Sequence, residues 1–250
     1  MPLVIGHRGS RQKAVENTLE SLNIAAAQGA QGVEFDVQLS ADGELVLFHD
    51  DTLKRLANRP EAPLELPWKA LRQLELREPN RPHERMTHLD EVLDWATTRP
   101  QLHINLELKV NRRDTSGGRV LADTLVRRMR EVPAKNWLIS SFDRAPLEHI
   151  AEARPDLALA ALIDVKPSCD WWPLTMENPQ SQLKLTSVNP HHALVTKHHV
   201  PQWKQHKWQI WTWTANHPRE WEVLCEQEVE AIITDVPDAL LHFLARHGKR

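Results

Sequence analysis

Apolar residues fall in short runs, separated by longer stretches in which they recur every three or four positions. The short runs predict strands at Leu3–Gly6, Gly32–Leu39, Leu102–Lys109, Leu138–Ser141, Leu157–Leu162, Lys184–Ser187, Gln209–Thr214 and Ala231–Thr234. Helices are predicted between most of them. Thr18 can cap a helix running to Gln28, with Gly29 near its C-terminal end. His88–Thr98 carries Leu89, Val92, Leu93 and Ala96 at helical spacing. Arg119–Glu131, Ala145–Ala153, His217–Glu226 and Pro237–His247 follow the same pattern. Eight strands alternating with helices over 250 residues predict an α/β fold, a (β/α)8 or TIM barrel, with a doubly wound open sheet as its rival.

Two segments break the rhythm. Ser40-Ala41-Asp42-Gly43 reads as a turn, so Glu44–His49 is expected to pair back on the second strand. Residues 51–88 are rich in proline and arginine and read as an excursion over the barrel mouth within one domain spanning 1–250.

Composition narrows the class. At 41% hydrophobic and 26% charged residues the chain is expected to fold, not to remain disordered. The net charge of −3 lacks the basic excess of a general nucleic-acid binder. No apolar run approaches the ~20 residues of a membrane span, and Met1–Ile5 is too short for an export signal. Cys169 and Cys225 are far apart and show no CxxC spacing, so neither a disulfide framework nor a zinc knuckle is expected. A reducing, cytoplasmic setting is the simplest expectation. The sequence leaves the oligomeric state open.

Strand alternation then picks out chemistry. In Val33-Glu34-Phe35-Asp36-Val37 the apolar residues take one face, and Glu34 and Asp36 take the other. If helices cover the apolar face, both carboxylates point into the barrel, where each must be protonated, paired or bound to a metal. Ile104-Asn105-Leu106-Glu107-Leu108-Lys109 repeats the arrangement. Glu34, Asp36 and Glu107 together would make a hard oxygen site suited to Mg²⁺ or Ca²⁺. A structural Glu107–Lys109 ion pair is an equal reading of that strand, and both can hold. His7 and His49 each end an apolar run, where a barrel keeps its chemistry, and histidine suits acid–base work. Arg8 and Lys109 supply positive charge for a phosphate. His191-His192 and His198-His199 lack acidic companions and are poor candidates for a second metal site.

At this point the residues resemble a known family. His7-Arg8-Gly9, Glu16-Asn17-Thr18, Glu34-Phe35-Asp36-Val37 and His49-Asp50 are similar to the signature of the glycerophosphodiester phosphodiesterases. Glu107-Leu108-Lys109, Ser141-Phe142, Trp213-Thr214-Ala215-Asn216 and Thr234-Asp235 match its later blocks in order. The resemblance implies a TIM barrel and hydrolysis of small-molecule glycerophosphodiesters to glycerol 3-phosphate and an alcohol. It also implies one divalent cation (Mg²⁺ or Ca²⁺, with Mn²⁺ as a further choice) on Glu34, Asp36 and Glu107. His7 and His49 would be the acid–base pair, Arg8 and Lys109 would hold the phosphate, and Phe142 and Trp213 would pack against the substrate. The family's usual P-E-N-T is Val15-Glu16-Asn17-Thr18 here, and the excursion at 51–88 departs from the family pattern where the alcohol side is expected to be framed. Trp171-Trp172 is a further candidate for contact with the alcohol. The rival activities are a lysophospholipase D or phospholipase C-like reaction, or an inactive barrel that only binds these diesters.

Overall fold

The computed structural model describes residues 1–166 and 183–247. Trp171-Trp172 and Cys169 lie outside the described residues.

Eight parallel strands close into a barrel: β1 (Leu3–His7), β2 (Gly32–Leu39), β6 (His103–Leu108), β7 (Trp137–Ser141), β8 (Ala158–Ile163), β9 (Ser187–Pro190), β10 (Gln209–Thr212) and β11 (Ala231–Thr234). Pairing of β1 with both β2 and β11 closes the ring, which rules out the open sheet. Helices α1 (Leu19–Ala27), α4 (Leu89–Thr97), α5 (Arg119–Arg128), α6 (Arg144–Ala153), α7 (His199–Gln205), α8 (Pro218–Glu226) and α9 (Pro237–His247) lie between or after strands.

Side-chain parity explains the layers. Val33, Phe35 and Val37 of β2, with Ile104, Leu106 and Leu108 of β6, join one large buried cluster with Leu22 and Ala25 of α1 and Leu89 and Val92 of α4. The opposite parity fills the barrel interior, where Ile5, Leu138, Ala160, Trp211, Ala231 and Ile233 form a smaller cluster. The inward positions toward the strand C-termini are polar, and that is where the site lies. Thr18 caps α1 by accepting from the Ser21 amide at 3.2 Å, and Gly29 follows with φ +92°. His88 caps α4, accepting from the Asp90 amide at 3.1 Å, while Glu91 accepts from the His88 amide at 2.9 Å.

Strand β3 (Leu45–Leu47) runs antiparallel to β2, with Val37 opposite Leu47 and Leu39 opposite Leu45. After it, α2 (Lys54–Ala57), α3 (Trp68–Leu71) and the hairpin of β4 (Glu75–Leu76) with β5 (Glu84–Arg85) pack on a cluster of their own that includes Phe48, Leu53, Leu56, Leu71 and Leu76. None of these elements adds a strand to the barrel.

Outside the 51–88 excursion, a strand and a helix differ from the sequence expectations. The strand expected at Lys184–Ser187 is shifted to Ser187–Pro190. Lys184, Leu185 and Thr186 alternate as a strand would, but pairing with β8 begins at Ser187 opposite Ala160. The true strand is hidden because Asn189 and Pro190 read as turn residues, and proline is acceptable there at the strand end. Helix α7 was not anticipated. Its Pro201 lies in the first turn, where a missing N–H costs nothing.

Candidate active site

The turn after β1 is tightly built. Gly9 has φ +84°, and a Cβ there would lie 2.4 Å from the backbone of Ser21, so only glycine fits. Arg8 and Asn17 also adopt left-handed backbone, at φ 53° and 56°, a conformation that non-glycine residues hold only under tertiary constraint. This folds the Arg8 amide onto Glu34 Oε2 at 3.0 Å and brings Arg8 Nη1 to Glu16 Oε1 at 2.7 Å.

Register then gathers the carboxylates. His7 is level with Glu34 across β1 and β2, and Asp36 is level with Glu107 across β2 and β6. Ligand oxygens of Glu34, Asp36 and Glu107 all lie within 4.8 Å of one another. Oxygens on opposite sides of a Ca²⁺ at 2.3–2.6 Å are at most ~5 Å apart, so the trio has the span of one cation. Among the described residues no other group of His, Cys, Asp or Glu side chains does. Asn17 brackets Asp36, donating from Nδ2 to Oδ2 at 2.8 Å and accepting from the Asp36 amide at 3.0 Å. Asp36 Oδ1 is buried with no hydrogen-bond partner among the described residues. A fully buried carboxylate oxygen left unbonded beside two further carboxylates fits a hard cation. The Glu107–Lys109 ion pair is present as well, with Nζ 2.5 Å from Glu107 Oε1 and 3.5 Å from Asp36 Oδ1.

Electrostatics agree with that fit. Burial pushes Glu34 well above the usual carboxylate range, and the charges of Asp36 and Glu107 add to it. Burial also raises Glu107, against the pull of Lys109. Asp36 stays low because Arg8 and Lys109 outweigh its burial. Arg8 and Lys109 alone do not balance three buried carboxylates, a deficit that a divalent ion would make good.

The histidines stand beside this cluster. His7 Nδ1 is 2.7 Å from Asp235 Oδ1, which turns Nε2 toward the cavity, 3.9 Å from Glu34 Oε2. Burial lowers the His7 pKa, and the charge of Arg8 adds to the effect. His49 Nδ1 is 2.7 Å from Asp50 Oδ1. A cavity of about 300 Å³ joins both rings to Arg8, Lys109, Glu34 and Glu107. Its far wall carries Phe142 and Trp213, packed edge to face with centroids 5.5 Å apart. Lys109 Nζ stands 5.3 Å from the Phe142 ring centre, and Trp213 Nε1 donates to the Asn189 carbonyl at 2.7 Å. The structure therefore brings together all nine residues singled out in the sequence. No residue of 51–88 is among the described residues lining this cavity. A larger cavity of about 1160 Å³ opens at the other end of the barrel, near Leu3, His103 and Trp137, and contains none of these carboxylates.

Four residues emerge only from the structure. Asp235 holds His7, and Asn216 holds Asp235: its Nδ2 donates to Asp235 Oδ2 at 2.8 Å, while its Oδ1 accepts from the Asp235 amide and Thr234 Oγ1. Glu16 is fully buried and receives Arg8, Arg11 and Arg55. Arg55, from α2, bonds both Glu16 and Asp50. Three of these lie in the sequence blocks quoted above, but nothing in those blocks indicated which group each one holds. Arg55 gave no signal among the many arginines of its segment.

The sequence as a whole matches the model of the glycerophosphoryl diester phosphodiesterase family over residues 7–239. The chain belongs to that family. It is accordingly an enzyme, a phosphoric diester hydrolase with glycerophosphodiesterase activity. A glycerophosphodiester phosphodiesterase of Caldanaerobacter subterraneus is 26% identical over 98% of this chain and 99% of its own length. Among solved structures, a phosphodiesterase of Oleispira antarctica, in complex with the product sn-glycerol-3-phosphate, superposes with a TM-score of 0.82 at 26% identity, over 98% of this chain and 97% of that one. A glycerophosphodiester phosphodiesterase of Thermotoga maritima gives 0.76 at 27% identity, over 97% and 98%. The family's barrel is the fold found here. No helix among the described residues is long and apolar enough to cross a membrane.

Proposed function

We propose that the chain hydrolyses glycerophosphodiesters to glycerol 3-phosphate and an alcohol, with one divalent cation held by Glu34, Asp36 and Glu107. The observation that carries this reading is a cavity lined by Glu34, Glu107, two strand-end histidines and the side chains of Arg8 and Lys109, with Asp36 clustered against the two glutamates. The product bound to the Oleispira antarctica relative supports it. When bound, the cation supplies Lewis-acid polarisation of a phosphoryl oxygen and a template for the phosphate.

The chain's own residues supply the rest. Arg8 and Lys109 flank the phosphate, and Phe142 and Trp213 form the apolar wall. Neutral His7, with Nε2 free toward the cavity, takes the proton of the attacking hydroxyl. That hydroxyl is the substrate's own glycerol hydroxyl, giving a cyclic phosphate that water then opens. His49, held by Asp50, protonates the departing alkoxide, which is a poor leaving group at neutral pH. One barrel domain carries all of these groups, and the 51–88 excursion steadies Glu16 and Asp50 through Arg55.

The test is a panel of glycerophosphodiesters and lysophospholipids, with and without EDTA, scored for glycerol 3-phosphate. Release from diesters that stops in EDTA and returns with Mg²⁺, Ca²⁺ or Mn²⁺ is expected. Full activity in EDTA removes the cation. Turnover confined to lysophospholipids moves the chain to the lysophospholipase reading, and binding without turnover makes it a binding barrel.

A further inference from the structure

Asn105 occupies an unusual place. Its side chain is completely buried, lines the catalytic cavity, and has no hydrogen-bond partner on either Oδ1 or Nδ2 among the described residues. Buried amides are almost always bonded, and a doubly unbonded one marks a place where something else is held. Its neighbours indicate what that is. Asn105 is level with Glu34 across the β2–β6 pair, so the two inward side chains are ~5 Å apart. It shares the inward face of β6 with Glu107, two residues on. Ser140, level with Glu107 on β7, likewise has a buried, unpartnered Oγ. The wall beside the carboxylates is therefore polar and unsatisfied.

We propose that Asn105 is a positioning residue of the cation site, its Oδ1 completing the oxygen shell of the ion either directly or through one water. This rests on the cation reading above. A hard divalent cation takes six to eight oxygens, and amide carbonyls are regular members of such shells. Three carboxylates, one oxygen of which Lys109 already engages, leave that shell incomplete. A neutral amide adds a donor without adding a fourth negative charge to a buried cluster. An ion at the carboxylates would also give the otherwise unbonded Asn105 amide a partner.

The experiment measures binding, not turnover. Metal-free wild-type protein, Asn105→Leu and Asn105→Asp are titrated with Mn²⁺ and followed by electron paramagnetic resonance of the free ion. Leucine has the branching and heavy-atom count of asparagine, although its methyl groups are bulkier, and it removes both polar atoms. Asn105→Leu is expected to weaken Mn²⁺ binding about 10–100-fold, the usual consequence of losing a supporting partner of a metal site. Asn105→Asp, which keeps an oxygen, binds no more weakly than wild type. The Tm of metal-free Asn105→Leu equals or exceeds that of wild type, because an unsatisfied amide has been replaced by a hydrocarbon. The inference is overturned if Asn105→Leu binds within threefold of wild type. It is also overturned if that variant loses binding only together with a large fall in its metal-free Tm, since Asn105 is then a packing residue. Wild-type protein that takes up no Mn²⁺ removes the cation reading itself, a result distinct from wild type and variant binding alike.

Discussion

Replacing Asp235 by asparagine gives the sharpest test of the histidine arrangement. The outcome is fixed by the residue behind it. Asn216 Oδ1 already accepts from the Asp235 amide at 2.9 Å and from Thr234 Oγ1 at 3.0 Å, so its Nδ2 must face the side chain at 235. In Asp235→Asn the new carboxamide has to present its oxygen to that Nδ2, which leaves its NH₂ pointing at His7 Nδ1. His7 Nδ1 then accepts, and its proton moves to Nε2, the nitrogen that faces the cavity. A ring with Nε2–H is unable to take a proton there. The loss is expected at ~10²–10⁴-fold in kcat, the scale of a removed or mis-tautomerised base, or ~3–5 kcal/mol of barrier. Stability is affected too. Burial alone would raise the Asp235 pKa, but the hydrogen bond and charge of His7, with Arg11 and Asn216, bring it to about 2. Set against ~3.9 in the unfolded chain, that difference amounts to about 3 kcal/mol at neutral pH. Because the folded pKa is the lower one, this stability is present above pH ~4 and is lost as the pH falls toward 2. The assay is kcat and KM on a natural diester, with ¹⁵N NMR of the His7 ring and urea unfolding at pH 7. Near-normal kcat in Asp235→Asn would refute the reasoning, as would an unchanged His7 tautomer.

Other outcomes follow from the same geometry. His7→Ala and His49→Ala should each lower kcat ~10²–10⁴-fold while retaining Mn²⁺ binding; a nitrophenyl leaving group should restore much of the His49→Ala loss and none of the His7→Ala loss. Equal rescue of both would sink the assignment of base and acid. Glu107→Gln should lose both Mn²⁺ binding and turnover, and a variant with wild-type affinity excludes Glu107 as a ligand. Glu16, where hydrogen bonds from Arg55 and the charges of Arg8 and Arg11 overcome burial, has its pKa lowered to about 2. Its contribution of about 3 kcal/mol is present above pH ~4.5 and fades as the pH falls through 2. Arg55→Gln should therefore destabilise the protein at pH 7 in urea, with the gap to wild type closing below pH 3; a gap independent of pH would show that Arg55 does not act through Glu16.

Much of the barrel and its site is visible in the sequence because strand parity is a local property. Val33, Phe35 and Val37 must face helices, which forces Glu34 and Asp36 inward, and the same argument brings Glu107 to them. What is not visible depends on contacts distant in the chain. Asp235 reaches His7 across 228 positions, and no local pattern announces the pairing. Strand β9 is obscured because its inward residues Ser187 and Asn189 are buried polar groups in a short segment ending in proline. Asn105 sits at an inward position, visible by parity, but its lack of partners becomes apparent only once the neighbouring strands are in place.

Arg55 gives the excursion a meaning for protein engineering. Residues 51–88 contribute none of the described cavity lining and have their own small core, which makes them look like an interchangeable cassette. They are not one. A single guanidinium from that segment grips Glu16, which holds Arg8, and also Asp50, which holds His49. A segment transplanted from a relative would leave the site in register only if it re-created that double grip. Otherwise the recipient would fold its barrel and still present its two catalytic arms out of alignment.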